Sequence, residues 1–176
     1  MHIIGQVLSG KTEAFAYFLD TYGQQVFALI VRMVSSPEYA EELTQDTFMK
    51  AFRHLDSFAE ESSFSTWIYR IAYNTALSAV RKKHDEVLMI DDRQWERVSE
   101  TEIDEALDED SEERIACLQA ALLKLTPEER ALVTLFYEEE KSIDEIAGIL
   151  KQTVANVKVK LYRVRKKLYV LMKSGD

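Results

Sequence analysis

Cysteine is almost missing from this chain: Cys117 is the single one among 176 residues, so no internal disulfide can form. Such an unpaired cysteine is expected to serve as a small core residue. Histidine is nearly as sparse. His2, His54 and His84 stand far apart, no Cys/His spacing suits a metal, and no Asp/Asn/Gly loop suits calcium, so neither a metal nor another cofactor is expected. Glycine numbers five and proline two, with no glycine-rich phosphate loop and no low-complexity tract. No nucleophile stands beside a base and no histidines pair, so no catalytic residues are assigned. A carboxylate-based metal hydrolase has almost nothing to support it. No apolar run approaches the roughly 18 to 20 residues that a membrane span needs. The opening Met1-His2-Ile3-Ile4-Gly5 lacks the charged-then-apolar pattern of a leader, so a cytoplasmic protein without direct membrane insertion is expected.

What the chain does contain is the composition of a soluble globular protein, 47% hydrophobic and 30% charged. Its net charge of −9 seems to argue against nucleic acid, yet the charge is not spread evenly. Met1 to His84 carries 8 basic and 9 acidic residues, Asp85 to Glu113 carries 2 and 14, and Arg114 to Asp176 carries 12 and 8. The acidity sits in one stretch between two nearly balanced or basic ones.

The basic end has the plainest pattern. Ser142-Ile143-Asp144-Glu145 sets a hydroxyl three residues before a carboxylate, a capping box, and Ile146, Ala147, Ile149 and Leu150 continue it as a short helix. After Lys151-Gln152, Thr153 caps a second helix whose Val154, Val157, Leu161, Val164, Leu168 and Leu171 form one apolar stripe. Its other face carries Asn156, Val159, Tyr162, Arg163 and Lys166 flanked by further cations, with no acid from Lys151 to Ser174. A helix, a tight turn and a basic helix is the layout of a helix-turn-helix whose second helix enters the DNA major groove. Ahead of it, a helix from about Glu112 to Lys124 and a second capping box, Thr126-Pro127-Glu128-Glu129, complete a small domain.

In the first 84 residues, a helix from Ser9 or Thr12 is expected to end at Gly23, and a second to span Gln24 to Val34. A third begins after Ser36-Pro37, with Ala40, Leu43, Thr47, Phe48, Ala51, Phe52 and Leu55 inward and an acidic outer row that residues alone read as an ordinary solvated face. A polar loop, Asp56 to Ser63, precedes a long helix from Phe64 to His84. There Ile68, Ile71, Ala72, Thr75 and Ala79 face inward, and Thr66, Arg70, Tyr73, Asn74 and Arg81 point outward with Trp67 and Tyr69 at the margins. Cations, an amide and aromatics on one face suit single-stranded nucleic acid, although each aromatic alone is equally a packing residue. The acidic stretch reads as a linker, largely irregular or marginally helical, able to mimic a nucleic-acid strand or repel DNA.

Four ordered blocks carry a resemblance: Ala40 to Phe52, Phe64 to Asn74, Leu125 to Arg130 and Ser142 to Leu150 are similar to the signature blocks of the extracytoplasmic-function group of bacterial sigma factors, in the same order and spacing. The resemblance implies an all-α fold of two small helical domains, region two at 1–84 and region four at 114–176, joined by the acidic linker at 85–113. It implies that Glu41, Glu42, Gln45, Asp46 and Met49 dock on core RNA polymerase, reversing the bland reading of that face. Promoter DNA is the second implied partner. Ser57, Phe58, Ser62, Ser63, Trp67, Arg70, Tyr73, Asn74 and Arg81 would hold the non-template single strand of the minus-10 element. Gln152, Thr153, Asn156, Lys158 and Val159 would read the minus-35 duplex, with Lys160, Arg163, Lys166 and Lys167 on its phosphates. An anti-sigma protein is a further implied partner, and the chain would act as a monomer within the holoenzyme. Ala155-Asn156 and Val159-Lys160 depart from the family's usual residues on the DNA face, so no promoter sequence carries over. A conventional helix-turn-helix regulator is the alternative, but no dimerisation helix is evident.

Overall fold

The computed structural model describes residues 2–83, 99–107 and 112–173, and among them all regular structure is helical. α1 (His2–Leu8) turns Ile4 and Val7 inward and is followed by a 3₁₀ turn, Thr12–Phe15. α2 (Ala16–Val34) then runs for 19 residues straight through Gly23. The break expected there does not occur. Phe18, Val26, Leu29, Ile30 and Met33 form one buried stripe across the glycine, and burying even one such side chain, at roughly 1.5–3 kcal/mol, outweighs the roughly 1 kcal/mol that glycine costs a helix.

Ser36 Oγ accepts from Tyr39 N at 3.4 Å and Pro37 fills the first turn of α3 (Pro37–Arg53), which buries Ala40, Leu43, Thr47, Phe48 and Ala51. A 3₁₀ turn, Leu55–Ser57, leads into the polar loop. Ser63 Oγ then accepts from Thr66 N at 3.1 Å, capping α4 (Phe64–Lys83). α2, α3 and α4 pack against one another as the first domain, with α1 against the turns at their ends.

Residues 85–98 and 108–111 of the acidic stretch lie outside the described residues, and what lies between is one short helix in a stretch expected to be largely irregular or marginally helical. α5 (Glu100–Leu107) starts at its own capping box: Ser99 N donates to Glu102 Oε2 at 3.0 Å, and Glu102 N donates to Ser99 Oγ at 3.3 Å. Ile103 is buried against Tyr169 and Val170, which gives the helix an anchor that composition alone does not reveal.

The second domain holds α6 (Glu112–Leu123), α7 (Pro127–Val133), α8 (Ile143–Leu150) and α9 (Val154–Lys173). Both anticipated capping boxes are closed, Thr126 with Glu129 and Ser142 with Glu145. α7 runs on through one π-helical turn, Thr134–Glu138. Lys151, at φ 51°, ends α8 in the left-handed conformation, and Asn156 N donates to Thr153 Oγ1 at 3.2 Å to begin α9.

The two domains close on each other. α4 lies along α8 and α2 along α7, and buried side chains of both halves join one apolar cluster.

Candidate nucleic-acid interfaces

The helix-turn-helix is built by α8 and α9, and its basic face is open. Asn156, Lys158, Val159, Lys160 and Arg163 are exposed at the N-terminal half of α9, and Gln152 and Thr153 stand at its start. Lys166 lies over the Tyr162 ring, 4.6 Å from its centroid. Lys167 is different from its neighbours. It is 9% exposed, and its ammonium sits 2.7 Å from Glu129 Oε2, inside the domain. The expected phosphate contact is therefore corrected for this residue: its stem packs in the core and its charge is already neutralised by a carboxylate. α5 packs Ile103 on Tyr169 and Val170 in the far half of α9 and pairs Asp104 with Arg165, while Asn156, Lys158, Val159, Lys160 and Arg163 stay exposed.

The second group of residues surrounds the loop. Phe58 meets Trp67 at 5.2 Å and Phe64 at 5.7 Å between ring centroids, and Phe64 stacks on Phe18 at 3.9 Å, so the aromatics pin the loop to the first domain's core. Ser57, Ser63 and Asn74 are exposed, and Ser62 and Trp67 are half-buried. Residues 57–63 with Thr66, Trp67 and Arg70 form one wall of a cavity of about 580 Å³. The opposite wall belongs to the second domain: Asp144, Glu145 and Gly148 of α8.

That wall corrects the expected outward face of α4. Thr66, Tyr69 and Tyr73 are buried, and the second domain is what covers them. Arg70 Nε donates to the Gly148 carbonyl at 2.9 Å. Tyr69 donates its hydroxyl to Glu139 at 2.5 Å, and Lys141 reaches both Ser65 Oγ at 3.2 Å and the Tyr69 ring at 4.9 Å. Burial first, and the hydrogen bond to Glu139 second, push the Tyr69 phenol far above its ordinary pKa, so it remains a donor. Burial likewise raises Tyr73. Arg81, largely exposed, lies 4.0 Å from Glu128. At the other end of the interface Arg130 Nη2 donates to Met33 O at 3.1 Å, satisfying a carbonyl at the end of α2, and Arg32 pairs with Glu138 at 3.3 Å. Sequence reasoning missed Glu139 and Lys141, and it placed Arg130 in a signature block without giving it a role; the Met33, Tyr69 and Ser65 partners lie about a hundred or seventy positions away, and no local signal marks these contacts.

The third surface is the acidic row of α3. Glu41, Glu42, Gln45 and Met49 are exposed together, while Asp46 is half-buried and pairs with Lys50 at 2.7 Å. Met49 is 53% accessible beside these carboxylates. Among the described residues there is no group of three or more His, Cys, Asp or Glu that would hold a metal, and no helix is long and apolar enough to cross a membrane.

Comparison with known proteins gives two family models. Sigma-70 region 2 matches residues 18–86, and Sigma-70, region 4 matches residues 115–168. The chain is 34% identical to the ECF RNA polymerase sigma factor SigW of Bacillus subtilis over 94% of this chain and 92% of that protein. It is 31% identical to the ECF RNA polymerase sigma-E factor of Escherichia coli over 93% and 88%, respectively. Among solved structures, CnrH in complex with the cytosolic domain of CnrY aligns with a TM-score of 0.66 at 23% identity, covering 99% of this chain and 97% of that one. The sigma factor RpoE in complex with the anti-sigma factor NepR from Bartonella quintana aligns with a TM-score of 0.61 at 24% identity, covering 90% and 96%.

Proposed function

Because this chain belongs to the extracytoplasmic-function group of the sigma-70 family, whose members are transcription-initiation factors, we propose that it directs core RNA polymerase to particular promoters and helps open the strands there. In this reading 1–84 and 114–176 are regions two and four and 85–113 joins them. The observation that carries it is that one chain holds both an acid-free duplex-sized face on α9 and, in its other domain, a loop beside a cation and aromatics. A duplex reader alone would have no use for the second. Single strands captured on Ser57, Phe58, Ser62, Ser63, Trp67, Arg70, Asn74 and Arg81 are withdrawn from the duplex, so binding free energy drives melting without ATP.

At the start of α9 and along its first half, Gln152, Thr153, Asn156, Lys158 and Val159 face base edges, and Lys160, Arg163 and Lys166 neutralise phosphates. Glu41, Glu42, Gln45, Asp46 and Met49 form the polymerase contact. The protein works in the cytoplasm, where polymerase and template are, and has no catalytic centre of its own. A protein inhibitor of the anti-sigma kind is a further partner, and co-purification from cells is its test.

Run-off transcription from a pool of genomic fragments tests the main proposal, using core polymerase with and without the protein. New transcripts with shared upstream sequence are the expected result. If core polymerase yields the same products with and without the protein, the proposal fails.

A further inference from the structure

α9 carries one side chain that its packing does not explain, and what that side chain implies rests on the reading of α9 as the duplex-reading helix. The helix buries Val157, Leu161, Val164 and Leu168 along one side. At roughly 100° per residue, the position opposite that stripe is Val159. It is 49% exposed, at the centre of a face without acids, with Lys158 and Lys160 about 100° to either side. A lone exposed apolar residue is ordinary on a protein surface. Here the fold gains nothing from it, because a β-branched side chain at an exposed helical position is a poorer helix former than the lysines around it. Ala155, one turn earlier on the same line, is exposed too, and no charge stands on that line until Lys166, about 10 Å beyond Val159.

In a helix-turn-helix the N-terminal part of the second helix meets base edges, so the central line of the first turns of α9 faces the floor of the major groove. There thymine offers an apolar group, its C5-methyl. We propose that Ala155 and Val159 read thymine methyls in the upstream promoter element. Four residues apart, they lie about 6 Å from each other along the helix, less than two base-pair steps of about 3.4 Å, so neighbouring T·A pairs serve both. The adjoining base edge falls to Asn156, exposed beside them with its backbone N–H taken by Thr153 Oγ1. An amide that pairs with adenine must both donate and accept. Gln152 is not placed to accept: its Oε1 is buried with no partner among the described residues, which leaves it N–H donors alone to offer a base. With no arginine between Val154 and Tyr162 to take guanine, the core of the element is selected through apolar contact.

Uracil tests this, since it keeps every hydrogen-bonding group of thymine and lacks the methyl. Duplexes are selected from a randomised pool by the full chain bound to core polymerase, and their shared upstream element is rebuilt with uracil for thymine, one position at a time. For the native protein, uracil is expected to weaken binding about three- to fivefold at one or two positions, the scale of one methyl group, and to leave the others within twofold. Val159→Ala removes two methyls at an exposed site and favours the helix, so it should fold as the native chain does. It should weaken thymine duplexes by a similar factor, yet bind thymine and uracil duplexes equally at one of those positions; Ala155→Ser should do so at the other. An element without thymine overturns the inference, and so does uracil without effect at every position, or a Val159→Ala protein that discriminates wherever the native one does. If Lys160→Ala and Arg163→Ala also leave duplex binding unchanged, α9 is not the duplex reader, and the inference falls with that assignment.

Discussion

Two carboxylates set the behaviour of single residues in the second domain. Glu129 Oε2 accepts from Thr126 N at 2.8 Å and from Lys167 at 2.7 Å, so one oxygen holds the start of α7 and the far half of α9 together. Lys167→Ala strands that carboxylate in a partly buried place and removes the packed stem. It should cost about 1–3 kcal/mol in chemical denaturation while changing duplex DNA affinity less than twofold, the reverse of what Lys160→Ala should do. Glu145 has its pKa lowered from the usual 4.5, first by the Ser142 backbone N–H and then by the Ser142 hydroxyl. A carboxyl lowered in the folded state adds stability above its unfolded pKa and loses it as pH falls through the folded one. Thermal scans between pH 7 and pH 3 should show the melting temperature of the native protein falling below about pH 4.5 more steeply than that of Ser142→Ala, which should already be about 1 kcal/mol less stable at neutral pH. Residue types in sequence announced the Glu145 cap, since all its partners lie within three positions. They could not announce that Lys167, one of seven cations on a basic helix, is the one turned inward.

At the level of elements, local signals were read well where a side chain closes its own helix and poorly where burial overrules them. Ser36-Pro37, Thr126-Pro127 and Ser142 mark starts that the structure keeps. Gly23 marks a stop that it ignores, and Ser99-x-x-Glu102 marks a start that dense acid obscured. Nothing lies within 4 Å of a Cβ built on Gly23, so Gly23→Ala should stabilise the protein by about 0.5–1 kcal/mol, visible as a higher melting temperature; a loss would mean that the glycine serves a bend. For α9 the outward cations Lys158, Lys160, Arg163 and Lys166 set the salt dependence. The logarithm of duplex affinity against that of salt concentration should have a slope of roughly −3 to −4, and Lys160→Ala should reduce it by about 1.

For the whole molecule, charge sum and charge placement give opposite messages, and placement decides. A net of −9 coexists with a basic face on α9 because the acids collect elsewhere, and α5 of the acidic stretch rests on the C-terminal half of α9, away from Asn156 to Arg163. The all-α, two-domain plan was readable from repeated periodicity and caps. The closure of one domain on the other was not, because Arg70–Gly148, Tyr69–Glu139 and Arg130–Met33 join positions that share no pattern. The contacts are unequal. Arg32 and Glu138 are both well exposed, so Arg32→Ala should shift the closed fraction by twofold at most, whereas Arg130→Ala frees a helix-terminal carbonyl at the interface and should shift it about tenfold, as read by energy transfer between dyes on α3 and α9.

Gly148 gives this arrangement an evolutionary handle. It touches α4 and lies outside the residues assigned to base edges, phosphates or polymerase. Added bulk at that one position must displace Thr66, so it alters the fit between the two domains without touching a residue assigned to promoter bases. How closely the two domains fit and which bases are read therefore rest on different residues, and a lineage can alter the one without rewriting the other.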